Sequence, residues 1–113
     1  MNLKRGHLYV ADLNPRQGTE PGKQSPVLVI QSDLLNEIAH PSTWVLPCTT
    51  KITPPNILRV RITQGCGGVD RECDVMIDQS RAIDNGRFKK YFGELPKPIF
   101  EEVIEKLKLL GGL

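Results

Sequence analysis

The chain has 113 residues, 39% of them apolar and 25% charged, with a formal net charge of +2. That length suits one domain with a genuine core and is too short for two. The composition excludes low-hydrophobicity, high-charge disorder, and the small charge, with its signs mixed along the chain, does not by itself support a nucleic-acid partner.

The opening "MNLKRGHLYV" lacks a secretory apolar region, and no apolar run approaches the roughly 18 residues of a membrane span, so the expectation is a soluble cytoplasmic protein. Three cysteines, Cys48, Cys66 and Cys73, form no Cys-x-x-Cys pair. Neither a disulfide framework nor a zinc site is expected, and Cys66 and Cys73 would pair only under oxidation.

"HLYVADL" alternates as a strand that begins after Gly6 and runs into "NPRQGTEPGKQSP", a long loop of the kind that is usually functional or disordered. "PVLVIQ" reads as a fully buried strand, and Ser32 or Asp33 caps a short helix in "SDLLNEIA". In the strand "TWVLPCTT", Pro47 removes a ladder donor, which predicts an edge, an end or a bulge, with Thr49 and Thr50 emerging where regular pairing stops.

"LRVRI" alternates strictly, with Leu58, Val60 and Ile62 inward and Arg59 and Arg61 outward. The glycine-rich "TQGCGGVDRE" turns it back into the strand "CDVMIDQ", making a hairpin, and no phosphate-cradling loop motif is present. "SRAIDNG" is a short link to the strand "FKKYFGEL". In "RFKKYF", the most basic stretch, the cations mark the solvated face of a strand.

The chain closes with "KPIFEEVIEKLKLLGG", a helix with Pro98 at its first position and Gly111 as its cap. Ile99, Phe100, Val103, Ile104, Leu107 and Leu110 fall on one face of it. Five or so strands and a terminal helix predict an α+β domain spanning 1–113, a strongly bent antiparallel sheet approaching a small barrel.

Ordinary hydrolase motifs are missing, and His7 and His40 have no partners at metal-ligand spacing. What remains is a polar constellation at strand ends and in loops: Asn14, Arg16, Thr19, Glu20, Lys23, Thr49, Thr50, Lys51, Gln79 and Arg81. Composition alone makes most of these solvated loop residues.

Their arrangement says more. "KRGHLYVADLNPRQGTEPGKQSPVLVIQSDLLN", then "VLPCTTKI", then "VMIDQSRAID", resembles the MazF/PemK family of toxin endoribonucleases over nearly the whole chain. The resemblance implies a compact SH3-like barrel of the CcdB/PemK type, a homodimer, and cleavage of single-stranded RNA without a metal or other cofactor. It also implies a cognate antitoxin whose flexible segment covers the RNA groove. In the family an arginine before the proline and a threonine at the end of the next strand carry the chemistry. The threonine position matches Thr49, whereas the arginine position holds Ser25.

The chemistry explains why that serine matters. When the 2′-hydroxyl attacks the neighbouring phosphorus and the 5′-oxygen leaves, negative charge accumulates on the phosphoryl oxygens. A guanidinium meets two of those oxygens with a planar, permanently charged fork, and a serine offers one neutral donor.

Thr49 is thereby assigned to the scissile phosphate or the reacting hydroxyl, with Thr50 and Lys51 nearby. Glu20 and Lys23 line the groove, and Gln79 and Arg81 read bases or hold a phosphate. Ser25 fits either an inactivating replacement that permits expression or a natural serine whose charge is supplied by a cation such as Lys23 or Arg16; the intact surrounding motif favours the former. Two other functions use the same barrel: a non-nuclease toxin that grips DNA gyrase, and a catalytically dead module that binds RNA or antitoxin.

Overall fold

A computed structural model describes residues 1–13 and 24–113. Its strands are β1 (His7–Asp12), β2 (Gln24–Val29), β3 (Ser42–Thr49), β4 (Arg59–Ile62), β5 (Cys73–Met76), β6 (Arg81–Asp84) and β7 (Phe88–Glu94). All pair antiparallel in one sheet of order β4-β5-β3-β2-β1-β7, with β6 lying beside β3. A 3-10 turn of three residues, Asn85–Arg87, joins β6 to β7. So short a link between two strands at distant places in the sheet requires the sheet to curl. No ladder closes it between them, so the expected barrel is a strongly curled open sheet.

Curling gives the sheet two cores. Tyr9, Ala11, Val27, Val29, Val45, Ile83 and Phe88 pack together on one side. Leu8, Leu28, Ile30, Leu46, Val60, Ile62 and Val75 pack on the other. The unbroken apolar run of β2 follows from this, because consecutive side chains enter opposite cores and neither face meets water. Tyr9 is fully buried and satisfies its hydroxyl by donating to Asn2 O while accepting from Lys4 N.

The terminal helix α2 (Lys97–Gly111) covers the second core, inserting Val103 fully with Ile99, Phe100, Ile104 and Leu107 around it. Its ends differ from expectation by one residue: Pro98 follows Lys97 in the first turn, and Gly112, at φ 70°, caps the helix instead of Gly111. Leu110 lies half exposed, outside the packed stripe. The short helix α1 (Asp33–Glu37) is capped by Ser32, whose hydroxyl accepts from Leu34 N.

Other differences have local causes. β2 begins at Gln24, so Ser25 and Pro26 lie within the strand and not before it. The sheet has seven strands, because β6 occupies a segment expected to be a link. The stretch Ile77–Gln79, expected as strand, winds into a 3-10 turn. Pro47 is inside β3, where one neighbouring strand gives way to another: β6 pairs as far as Val45 and β5 starts at Cys48. A residue without an N–H is tolerated at that changeover. The cysteine that meets Cys73 is Cys48; their hydrogen bond and burial push the Cys48 thiol up. No helix among the described residues is long and apolar enough to cross a membrane.

Candidate functional site

The ladder between β2 and β3 consists of Val27↔Pro47, Leu28↔Leu46 and Val29↔Val45. Two residues further in the same register, Ser25 falls opposite Thr49, and both are half-buried. Beyond Val27↔Pro47 each strand pairs with its outer neighbour, Ser25 with Ala11 of β1 and Thr49 with Asp74 of β5. The two positions therefore lie just past the end of the β2–β3 ladder, on one face of the sheet because cross-strand partners share a face. Arg81, opposite Val45, belongs to the same face.

Thr49 is held by its own turn, its Oγ1 accepting from Lys51 N at 3.1 Å. A threonine hydroxyl that accepts one such bond can still donate its own proton to a ligand. Thr50 and Lys51 are exposed beside it. Gln79 lies on the 3-10 turn after β5 and, with Thr53, Asn56, Leu58, Arg59 and Asp78, lines a hollow of about 310 Å³. Asn14, Arg16, Thr19, Glu20 and Lys23 lie outside the described residues.

The sequence does not announce the most heavily bonded group in this region, which is Asp74. Its side chain is 1% exposed. The carboxylate accepts from Arg61 Nε at 2.5 Å, Thr53 N at 3.0 Å and Arg59 Nη1 at 3.3 Å. Burial alone would raise its pKa; the Arg61 hydrogen bond, the Thr53 amide and the charges of Arg61 and Arg59 outweigh burial and hold the carboxyl below its usual range. Arg61 is raised in turn by Asp74.

The available signal was the strict alternation of Arg59 and Arg61 opposite "CDVMIDQ", a returning strand that carries Asp74 and Asp78. β4 and β5 pair Arg61 with Asp74, and β3 and β5 pair Thr49 with Asp74, giving a polar row of Ser25, Thr49, Asp74 and Arg61 across four strands. Of the histidines, His7 Nδ1 lies 2.8 Å from the Tyr91 hydroxyl and His40 Nδ1 lies 3.0 Å from Ser42 O. No group of three or more metal-ligating side chains occurs among the described residues.

The fold defines a class first: it is that of crystallised MazF toxins. MazF from Deinococcus radiodurans superimposes with a TM-score of 0.83 at 24% identity, covering 100% of this chain and 99% of that one. A MazE-MazF crystal structure from the same organism gives 0.78 at 23%, covering 100% and 98%. The sequence then supplies the family. Residues 4–111 match the PemK-like, MazF-like toxins of type II toxin-antitoxin systems, and the chain belongs to that family. It is 34% identical over 110 residues to Endoribonuclease EndoA of Bacillus subtilis, covering 96% of this chain and 94% of that protein.

Proposed function

We propose that this chain is the RNA-cleaving toxin of a toxin-antitoxin pair, acting without a metal on single-stranded RNA and attenuated by the serine at position 25. Family membership and the endoribonuclease name of the Bacillus relative support the reaction class, and the fold shared with a MazE-MazF assembly supports an antitoxin partner. The toxin works as a homodimer.

One observation supports the assignment to residues: continued past Val27↔Pro47, the β2–β3 register brings Ser25 opposite Thr49 on one face of the sheet. An RNA backbone threaded there meets the Thr49 hydroxyl, with Thr50 and Lys51 alongside. The 2′-hydroxyl attacks phosphorus, the 5′-oxygen departs, and the products carry 2′,3′-cyclic phosphate and 5′-hydroxyl ends. Ser25 supplies no positive charge to the phosphoryl oxygens at the moment they need it. By analogy with removal of one oxyanion donor, that absence costs about 3 kcal/mol of barrier, roughly a hundredfold or more in rate. Gln79 and Arg81 hold bases or phosphates further along the groove, and residues 14–23 contribute Asn14, Arg16, Thr19, Glu20 and Lys23.

The test is Ser25→Arg, assayed in EDTA on a long single-stranded RNA beside the unaltered chain. Discrete fragments ending in cyclic phosphate, produced at least a hundredfold faster by the arginine form, are the expected result. Cleavage by neither form defeats the proposal, and equal cleavage by both defeats the attenuation.

A further inference from the structure

Between β3 and β4 the chain crosses residues 50–58, and cations hold three of that segment's carbonyls. Arg59 Nη1 donates to Lys51 O at 3.3 Å, Arg61 Nη2 to Thr53 O at 2.6 Å, and Lys106 Nζ, reaching from α2, to Asn56 O at 3.2 Å. Both arginines also bond Asp74, which takes the Thr53 amide as well. The bonds form a circuit: Thr49 Oγ1 accepts from Lys51 N, Lys51 O from Arg59, Asp74 from Arg59, Thr53 and Arg61, and Thr53 O from Arg61.

A surface loop does not require this much. Bonds from arginines to exposed carbonyls contribute little alone, because the side chains lose freedom in making them. A carboxylate that is 1% exposed is costly to bury and stays ionised only when its partners are in place. Such a group makes the arrangement all-or-none: remove it, and two guanidinium groups and a backbone amide lose their shared acceptor together.

We propose that Asp74 is a positioning residue for Thr49, its buried carboxylate clamping the loop 50–58 through Arg59, Arg61 and Thr53 so that the Thr49 hydroxyl and the residues after it meet RNA in a fixed geometry. This rests on the RNA-cleaving reading given above. Asp74 need not touch the substrate. Its effect passes through the loop, and misplacement of reacting groups by about 1 Å costs on the order of a hundredfold in rate.

The test uses the full chain carrying Ser25→Arg, with and without Asp74→Asn, well below the melting temperature of either. Asp74→Asn is expected to lower kcat by about 10- to 100-fold with KM little changed. Amide exchange at Lys51 and Thr53 is expected to accelerate while that at Leu28 and Leu46, in the second core, stays slow. A purely structural role lowers the melting temperature and leaves kcat per folded molecule intact; that result overturns the proposal, as does unchanged exchange at Lys51 and Thr53.

Should Asp74→Asn not fold, Arg61→Lys keeps the charge at a half-buried position, removes the fork that joins Asp74 to Thr53 O, and is read by the same two quantities. If the Ser25→Arg chain cleaves no RNA, the functional reading fails, and amide exchange alone decides for or against the clamp.

Discussion

A Cβ placed on Gly68 would lie 2.2 Å from the carbonyl oxygen of Phe92, at a backbone φ of +81°. Gly65, in the same turn, has φ +86° but nothing within 4 Å of that position. The pair separates two costs. Gly65→Ala carries only left-handed strain, about 1 kcal/mol, whereas Gly68→Ala must also displace β7 and is expected to lose more than about 3 kcal/mol in urea unfolding. Equal losses would show that the turn yields freely. Thr49 presents the opposite balance of stability against activity. Thr49→Val removes the acceptor of one exposed amide, a loss of about 1 kcal/mol or less. In the Ser25→Arg background it is expected to reduce RNA cleavage about a hundredfold, and a gel assay showing undiminished cleavage would remove Thr49 from the reaction.

The elements differ in how much of themselves they show in the sequence, and the reason is the range of the interactions that fix them. The terminal helix was legible because its apolar positions recur at its own period, and the stripe from Ile99 to Leu107 is the one that packs. Periodicity could not show where the sheet ends beneath it, which leaves Leu110 half exposed. Val103→Ala is therefore expected to destabilise by about 2 kcal/mol while Leu110→Ala changes little, as thermal unfolding would report. Strand β6 was illegible: four residues with only Ile83 buried carry no alternation, and the strand exists because β3 offers an edge from Ser42 to Val45. At the candidate site, Thr49 and Ser25 are assigned through resemblance, and no motif in the sequence pattern singles out Asp74. Its meeting with Thr49 depends on a β3–β5 register set by residues about 25 apart in sequence, which no local pattern encodes.

Over the whole molecule, the loop 50–58 and the sheet behind it share one electrostatic dependence, and acid should expose it. The Asp74 carboxyl has a folded pKa below its unfolded one, so the folded state binds its proton less readily than the unfolded state does. The resulting stabilisation is complete above the unfolded value of about 3.9 and is lost as pH falls through the lower folded value. Arg59 and Arg61 face the carboxylate with their positive charges, while Glu72, 3.7 Å from Arg61 Nη1, is 44% exposed and contributes a weaker, screened attraction. Asp74→Asn resembles the protonated acid in shape, so it should be less stable than the unaltered chain at neutral pH and approach it in strong acid. Urea midpoints measured from pH 7 downward are expected to show a constant gap between the two proteins until about pH 4, then a narrowing one. Asp33, whose carboxyl is also lowered, mainly by the Arg5 amide and then by Asn36, titrates in both proteins and cancels from the difference. A gap that stays constant into strong acid would mean that the ionised carboxylate is not what holds Arg59, Arg61 and Thr53 together.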